Sequence, residues 1–375
     1  MSLFGDINKD EYQEQIDKKV LKIENLFKDC FTTPKPSIFY SNPINYRMRA
    51  EFNIYHDGSK IKYFMINKIG KNKTKVFIDH FDPGSTLINF FMPIVAELIS
   101  NNEIIRSKLF AIDFLTTLSG EALITLTYHK KLDDEWTNEA NKLLEQLRNY
   151  KKSVNVIGRA FKQKISLNQD FVWEQLSVNN KTYRYQQVEN SFTQPNANVC
   201  EKMLSWVKNN VIDKTSDLLE LYCGNGNFSI ALADNFRKVL ATEISKTSVL
   251  SAQNNIKSNN INNIKIIRMS AEEFTQALNR ERTFNRLRQA EVDLDDYNCK
   301  TILVDPPRSG LDIKTIELLQ KYEKIIYISC NHDTLIENLK LLTKTHDILN
   351  LSFFDQFPYT EHIETGIILG KKQQH

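Results

Sequence analysis

Residues 217–228 read Asp217-Leu218-Leu219-Glu220-Leu221-Tyr222-Cys223-Gly224-Asn225-Gly226-Asn227-Phe228. An apolar run of strand length enters a turn with two glycines, and a helix starts directly after it. The chain has only 11 glycines, so two in one turn mark a place where the backbone bends tightly or approaches a ligand. Downstream the rhythm repeats. Strands are expected at 217–222, 238–243, 264–269, 301–305, 325–330 and 349–354, with a last strand near 364–369. Strands alternating with helices predict an α/β fold, a doubly wound Rossmann-like sheet whose ligands bind at the carboxyl ends of the strands.

What that edge carries narrows the chemistry. Glu243 ends the second strand 19 residues after Gly224, a spacing at which an acid commonly holds a ribose diol. The third glycine of a dinucleotide fingerprint is missing, and Ser229 stands in its frame. A nucleoside ligand without a pyrophosphate fits better, and S-adenosylmethionine (SAM) is the natural candidate. Asp305-Pro306-Pro307-Arg308 leaves the strand at 301–305; the prolines remove donors and fix an extended exit that holds Asp305 at the edge. Methyltransferases acting on planar nitrogens often have an aromatic residue where Arg308 stands. A cation there suits a carbonyl or a thiolate better than an amine lone pair.

Cys330 closes the next apolar run, 25 residues after Asp305, so the two strand ends lie one crossover apart at the same edge. A thiol there reads as a nucleophile, with Arg308 as the neighbour expected to favour its thiolate. Carbon 5 of uracil attacks a sulfonium methyl poorly until a thiolate adds at carbon 6, and the methylated adduct then needs a base to take the carbon-5 proton. Glu364, at the junction of a loop and the last strand, is the best placed base; Glu361 and His362 are rivals.

The first half has a different rhythm. An amphipathic helix is expected over Asp10 to Phe27, with Tyr12, Ile16, Val20, Ile23 and Phe27 at helical spacing. Strand-like segments follow at 48–55, 60–66, 75–78, 110–118 and 122–128, with helices at 85–99 and 134–150, which reads as a mixed α+β module of antiparallel hairpins. The division is expected at 1–185 and 186–375, near the polar stretch Asn179-Asn180-Lys181-Thr182. The first 185 residues carry a net charge of +5 and the rest −2, a bias compatible with a polyanionic partner. Arg280, Arg282, Arg286 and Arg288 crowd the segment before the strand at 301–305, at the rim of the site, and read equally as contacts to an RNA backbone or as an Arg-rich solvated helix.

Composition excludes other classes. With 41% hydrophobic and 25% charged residues the chain reads as globular. Its start has no signal-peptide pattern, and the longest apolar-rich run, 87–99, is too short for a bilayer, so a cytoplasmic location is expected. The five cysteines have no metal-cluster spacing, so no metal is expected.

These motifs, with Tyr46-Arg47-Met48-Arg49-Ala50-Glu51-Phe52, the run from Tyr128 to Trp136, Gln187 to Asn196, and Phe354-Asp355-Gln356-Phe357-Pro358-Tyr359-Thr360, make the chain similar almost end to end to the bacterial tRNA (uracil-5-)-methyltransferases. The resemblance implies a C-terminal Rossmann-like SAM-dependent methyltransferase domain and an N-terminal mixed α+β RNA-binding domain, forming ribothymidine in the tRNA T loop. It implies Cys330 as nucleophile and Glu364 as proton acceptor. Gln194, Tyr222, Gly224, Asn227, Glu243 and Asp305 would bind SAM, and Phe110, His129 and Arg308 the RNA. The partner is the tRNA T-arm, with tmRNA a second RNA partner; no membrane, metal or obligate protein partner is implied. One departure is His332, where the family usually has proline. The iron–sulfur cysteines and added β-barrel of the ribosomal-RNA relatives are absent from the sequence. C5 methylation of another structured RNA, or RNA folding without turnover, are the competing readings.

Overall fold

The computed structural model describes residues 7–69 and 72–373. In chain order its strands are β1 (Ser37–Phe39), β2 (Arg49–Asp57), β3 (Lys60–Ile69), β4 (Asn72–Phe77), β5 (Leu109–Thr116), β6 (Ala122–Tyr128), β7 (Val154–Ala160), β8 (Gln163–Ser166), β9 (Phe171–Val178) and β10 (Lys181–Val188). There follow β11 (Asp217–Leu221), β12 (Val239–Glu243), β13 (Ile264–Arg268), β14 (Cys299–Val304), β15 (Lys324–Ser329), β16 (His346–Phe354) and β17 (Glu364–Lys371).

The second half forms an eight-stranded sheet in the order β1-β16-β17-β15-β14-β11-β12-β13. β13, β12, β11, β14 and β15 run parallel, and the order reverses between β11 and β14, the switch point at which doubly wound sheets bind ligands. β17 is inserted antiparallel between β15 and β16. Its first residue therefore lies at the edge where the parallel strands end: Thr365 is opposite Ser329 and Glu364 opposite Phe354. These strands are apolar on both faces, as burial under two helical layers demands.

The first half contains a seven-stranded sheet, β4-β3-β2-β5-β6-β7-β8. The helices Thr86–Ser100 and Asp134–Tyr150 bury their apolar faces against it, and Ser85 and Asp133 cap them by accepting from Ile88 N and Trp136 N.

Three elements cross the expected division. Helix Tyr12–Lys28 buries Tyr12, Ile16, Val20, Ile23 and Phe27, the five expected apolar positions, in one core of the eight-stranded sheet. β1 adds a parallel strand to that sheet beside β16. The polar stretch at 179–182 begins with a hairpin turn, Asn179 and Asn180 at φ +50° and +63°, between β9 and β10. Leu176, Val178, Tyr183 and Tyr185 of that hairpin lie in the other core of the eight-stranded sheet.

Candidate active site

At the carboxyl edge of the large sheet lies a cavity of about 1050 Å³. It gathers Cys330, Glu364, Gln194, Tyr222, Gly224, Asn227, Glu243, Asp305 and Arg308, which the sequence spreads over 171 positions.

Its floor is the turn after β11. Tyr222, Gly224 and Gly226 all have positive φ, at +62°, +55° and +82°. At Gly224 a Cβ would meet nothing within 4 Å, so the turn leaves open space on the cavity side. The Glu243 carboxylate accepts from Gly224 N at 3.0 Å and Ser245 N at 2.7 Å, tying the end of β12 to the turn. Tyr185 donates its hydroxyl to Asn227 O at 2.9 Å, so the β9–β10 hairpin steadies the next helix start.

The walls are rich in carboxyls. Burial alone pushes Asp305 up to about 7. Glu220, which accepts from the Ser229 hydroxyl, is raised to about 8, chiefly by burial. Glu364, only 6% exposed, is also raised to about 8, by burial first and by Asp305 next, against the pull of Arg308. Carboxyls raised in this way would be drawn back towards their ionised form by a cationic guest. Gln187 Oε1, buried in the cavity lining, has no hydrogen-bond partner. Open space at a glycine turn, a ribose-spaced acid, acidic walls and an unsatisfied acceptor together fit SAM, a nucleoside bearing a sulfonium and an ammonium.

Around Cys330 the balance differs from expectation. Burial first, then Glu364, push the thiol up; the Arg308 guanidinium nearby pulls the other way without prevailing. Arg308 Nη2 also lies 2.9 Å from His362 Nε2, and its carbonyl accepts from Asn331 Nδ2 at 2.8 Å. His332, in the place of the family's proline, is tied by Nε2 to Thr365 Oγ1 at 3.0 Å. This hydrogen bond ties the first residue of helix His332–Leu342, directly after Cys330 and Asn331, to the strand of Glu364, and so restrains a position that a proline ring would restrain by its fixed φ. Of the rival bases, Glu361 points away to an exposed ion pair with Lys22, while His362 lines the cavity.

Phe110 and His129 are not among the lining residues. They stack on each other, with ring centroids 3.8 Å apart, on the seven-stranded sheet. Arg280, Arg282, Arg286 and Arg288 do not line the cavity either; Arg280 and Arg286 pair with Asp295 and Glu273 on the surface. The segment carrying them precedes β14, whereas the site forms where β14 ends. Sequence reasoning missed Glu220 and Gln187. Glu220 had a signal, a lone charge inside an apolar strand. Gln187 had none. Among the described residues no cluster of metal-ligating side chains occurs.

Fold and site define a Rossmann-like SAM-dependent methyltransferase. The family model of the tRNA (Uracil-5-)-methyltransferases matches residues 11–372, and the chain belongs to that family. It is 52% identical over 367 residues to a Vibrio parahaemolyticus tRNA/tmRNA (uracil-C(5))-methyltransferase, covering 98% of this chain and 99% of the relative. Its identity to the enzyme of the same name from Shewanella pealeana is 54% over 361 residues, covering 96% and 97%. Among solved structures, the Pyrococcus abyssi tRNA (uracil-54, C5)-methyltransferase in complex with S-adenosyl-L-homocysteine has the same fold, with a TM-score of 0.71 at 21% identity over 96% of this chain and 83% of that one. No helix of the described residues is long and apolar enough to cross a membrane.

Proposed function

We propose that this protein methylates carbon 5 of a uridine in the T loop of tRNA through a covalent bond between Cys330 and carbon 6. The observation that carries the reading is the meeting of Cys330 and Glu364 in one cavity with the turn and acid that fit SAM. When bound, SAM supplies an electrophilic methyl group. Cys330, as thiolate, adds to carbon 6 with Arg308 as its hydrogen-bond donor, and the electron pair displaced from the ring double bond makes carbon 5 a nucleophile. After methylation the Glu364 carboxylate takes the carbon-5 proton. That C–H pair forms the carbon 5–carbon 6 double bond, the carbon 6–sulfur bond breaks, and Cys330 departs as thiolate.

The names of the relatives support tRNA, and tmRNA as a second RNA. Residues 1–185 are the RNA-binding part in this reading and 186–375 the methyltransferase, with helix Tyr12–Lys28 and β1 lent to the latter's sheet. The stacked Phe110 and His129 would enter the RNA loop once the uridine is extruded. The work would be cytoplasmic, where tRNA is.

The test is Glu364→Gln. With SAM and a T-loop hairpin it should form a denaturation-resistant protein–RNA complex carrying the methyl group, absent when Cys330→Ala is added. Free methylated RNA at the normal rate, with no adduct on a denaturing gel, would assign the proton to another group.

A further inference from the structure

Lys19 lies on helix Tyr12–Lys28, 345 positions from Glu364, and does not line the cavity. It is 6% exposed. Its ammonium donates to Asp355 Oδ1 at 2.7 Å, Phe357 O at 3.1 Å and His362 O at 2.9 Å, so all three protons are used. One and two turns earlier on the same face, Gln15 Oε1 accepts from Tyr359 N at 3.1 Å and the Tyr12 hydroxyl donates to Asp355 Oδ2 at 2.9 Å. The segment so held, 355–363, joins β16 to β17 and ends at Glu364. It also carries His362, whose ring takes the guanidinium of Arg308, a cation whose charge acts on the Cys330 thiol.

A buried ion pair is a weak source of stability, since desolvation offsets most of its attraction. What this one does is aim. A lysine reaching two loop carbonyls as well as Asp355 fixes the path of the backbone that delivers both His362 and Glu364. We propose that Lys19 is a positioning residue for proton removal, holding the loop that sets the Glu364 carboxylate over the adduct. The proposal rests on the reading of Glu364 as proton acceptor.

Lys19→Met alone leaves Asp355 as an unpaired buried charge, so the variant to use is Lys19→Met with Asp355→Asn, and Tyr12→Phe as a milder third change. Full-length protein, SAM and a T-loop hairpin are mixed and quenched, and decay of the methylated adduct is followed on denaturing gels. The double variant should release RNA roughly ten- to a hundredfold more slowly, the loss expected when a reacting group is displaced by about an ångström. Adduct should accumulate at steady state, with the KM for SAM within about twofold of wild type, because the cofactor cradle is untouched. Tyr12→Phe should slow release less. A merely structural role would lower the melting temperature and leave the partition between methylation and release where it was. Release at the wild-type rate by the double variant or, if that variant does not fold, by Tyr12→Phe overturns the proposal for Lys19 while leaving Glu364 in place. Free release by Glu364→Gln itself overturns the underlying reading and this proposal with it.

Discussion

Glu364 is held near a pKa of about 8, and this sets the pH dependence of one step. Taking that value, the carboxylate fraction is about 1% at pH 6, about 9% at pH 7 and about 90% at pH 9. Proton removal needs the carboxylate, so the sign is fixed: release should accelerate as pH rises, about tenfold from pH 6 to 7 and about tenfold more from pH 7 to 9, then level off. The overall rate mixes this with ionisation of Cys330, whose thiol is also raised, so the step must be isolated. Methyl-labelled adduct is formed, chased with unlabelled SAM, and its decay measured on denaturing gels across pH 6 to 9. Because Asp305 is the second cause holding Glu364 up, Asp305→Asn at saturating SAM should move the midpoint to lower pH. A decay constant that is flat from pH 6 to 9 would refute the assignment of Glu364.

Glu243→Ala, which removes the carboxylate proposed for the ribose, should weaken SAM binding by ~1.5–3 kcal/mol, the range for hydrogen bonds to a charged group, with RNA affinity in the absence of SAM nearly unchanged; calorimetric titration with unaltered SAM affinity would take Glu243 out of the site. The ligand-free protein should also lose stability as pH rises from about 4.5 to about 8: Glu174, Glu220 and Glu364 are each raised to about 8 from 4.5, so the folded state holds more protons than the unfolded one throughout that window. Melting temperatures at pH 5.5 and 8 read this directly, and a higher value at pH 8 would contradict it.

Where proximity in the chain does the work, residues alone were enough. Periodicity is local, so seven of the eight strands of the large sheet, all but β1, and the five buried positions of helix Tyr12–Lys28 could be read from apolar spacing. The glycine turn, Asp305 and Cys330 follow at strand ends because parallel crossovers return each strand to the same edge. Glu364 needed one thing more. A residue that begins a strand reaches that edge only because β17 runs antiparallel, a fact of pairing rather than of pattern.

Tertiary structure alone decided the rest. The polar turn at 179–180 looked like a linker because a two-asparagine hairpin turn and a domain boundary share a composition. Lys19 reads in sequence as one more charge on an amphipathic helix; its partners lie 336 to 343 positions away, beyond any local signal. The ionisation of Cys330 and Glu364 also depends on the fold, since a pKa is set by desolvation and by neighbours that only folding assembles. The sequence by itself supplied most of the candidate side chains for chemistry, because their types and their places beside apolar runs are written locally. Their protonation, their aim and the helix that steadies them came from long-range packing, which no run of neighbouring residues encodes.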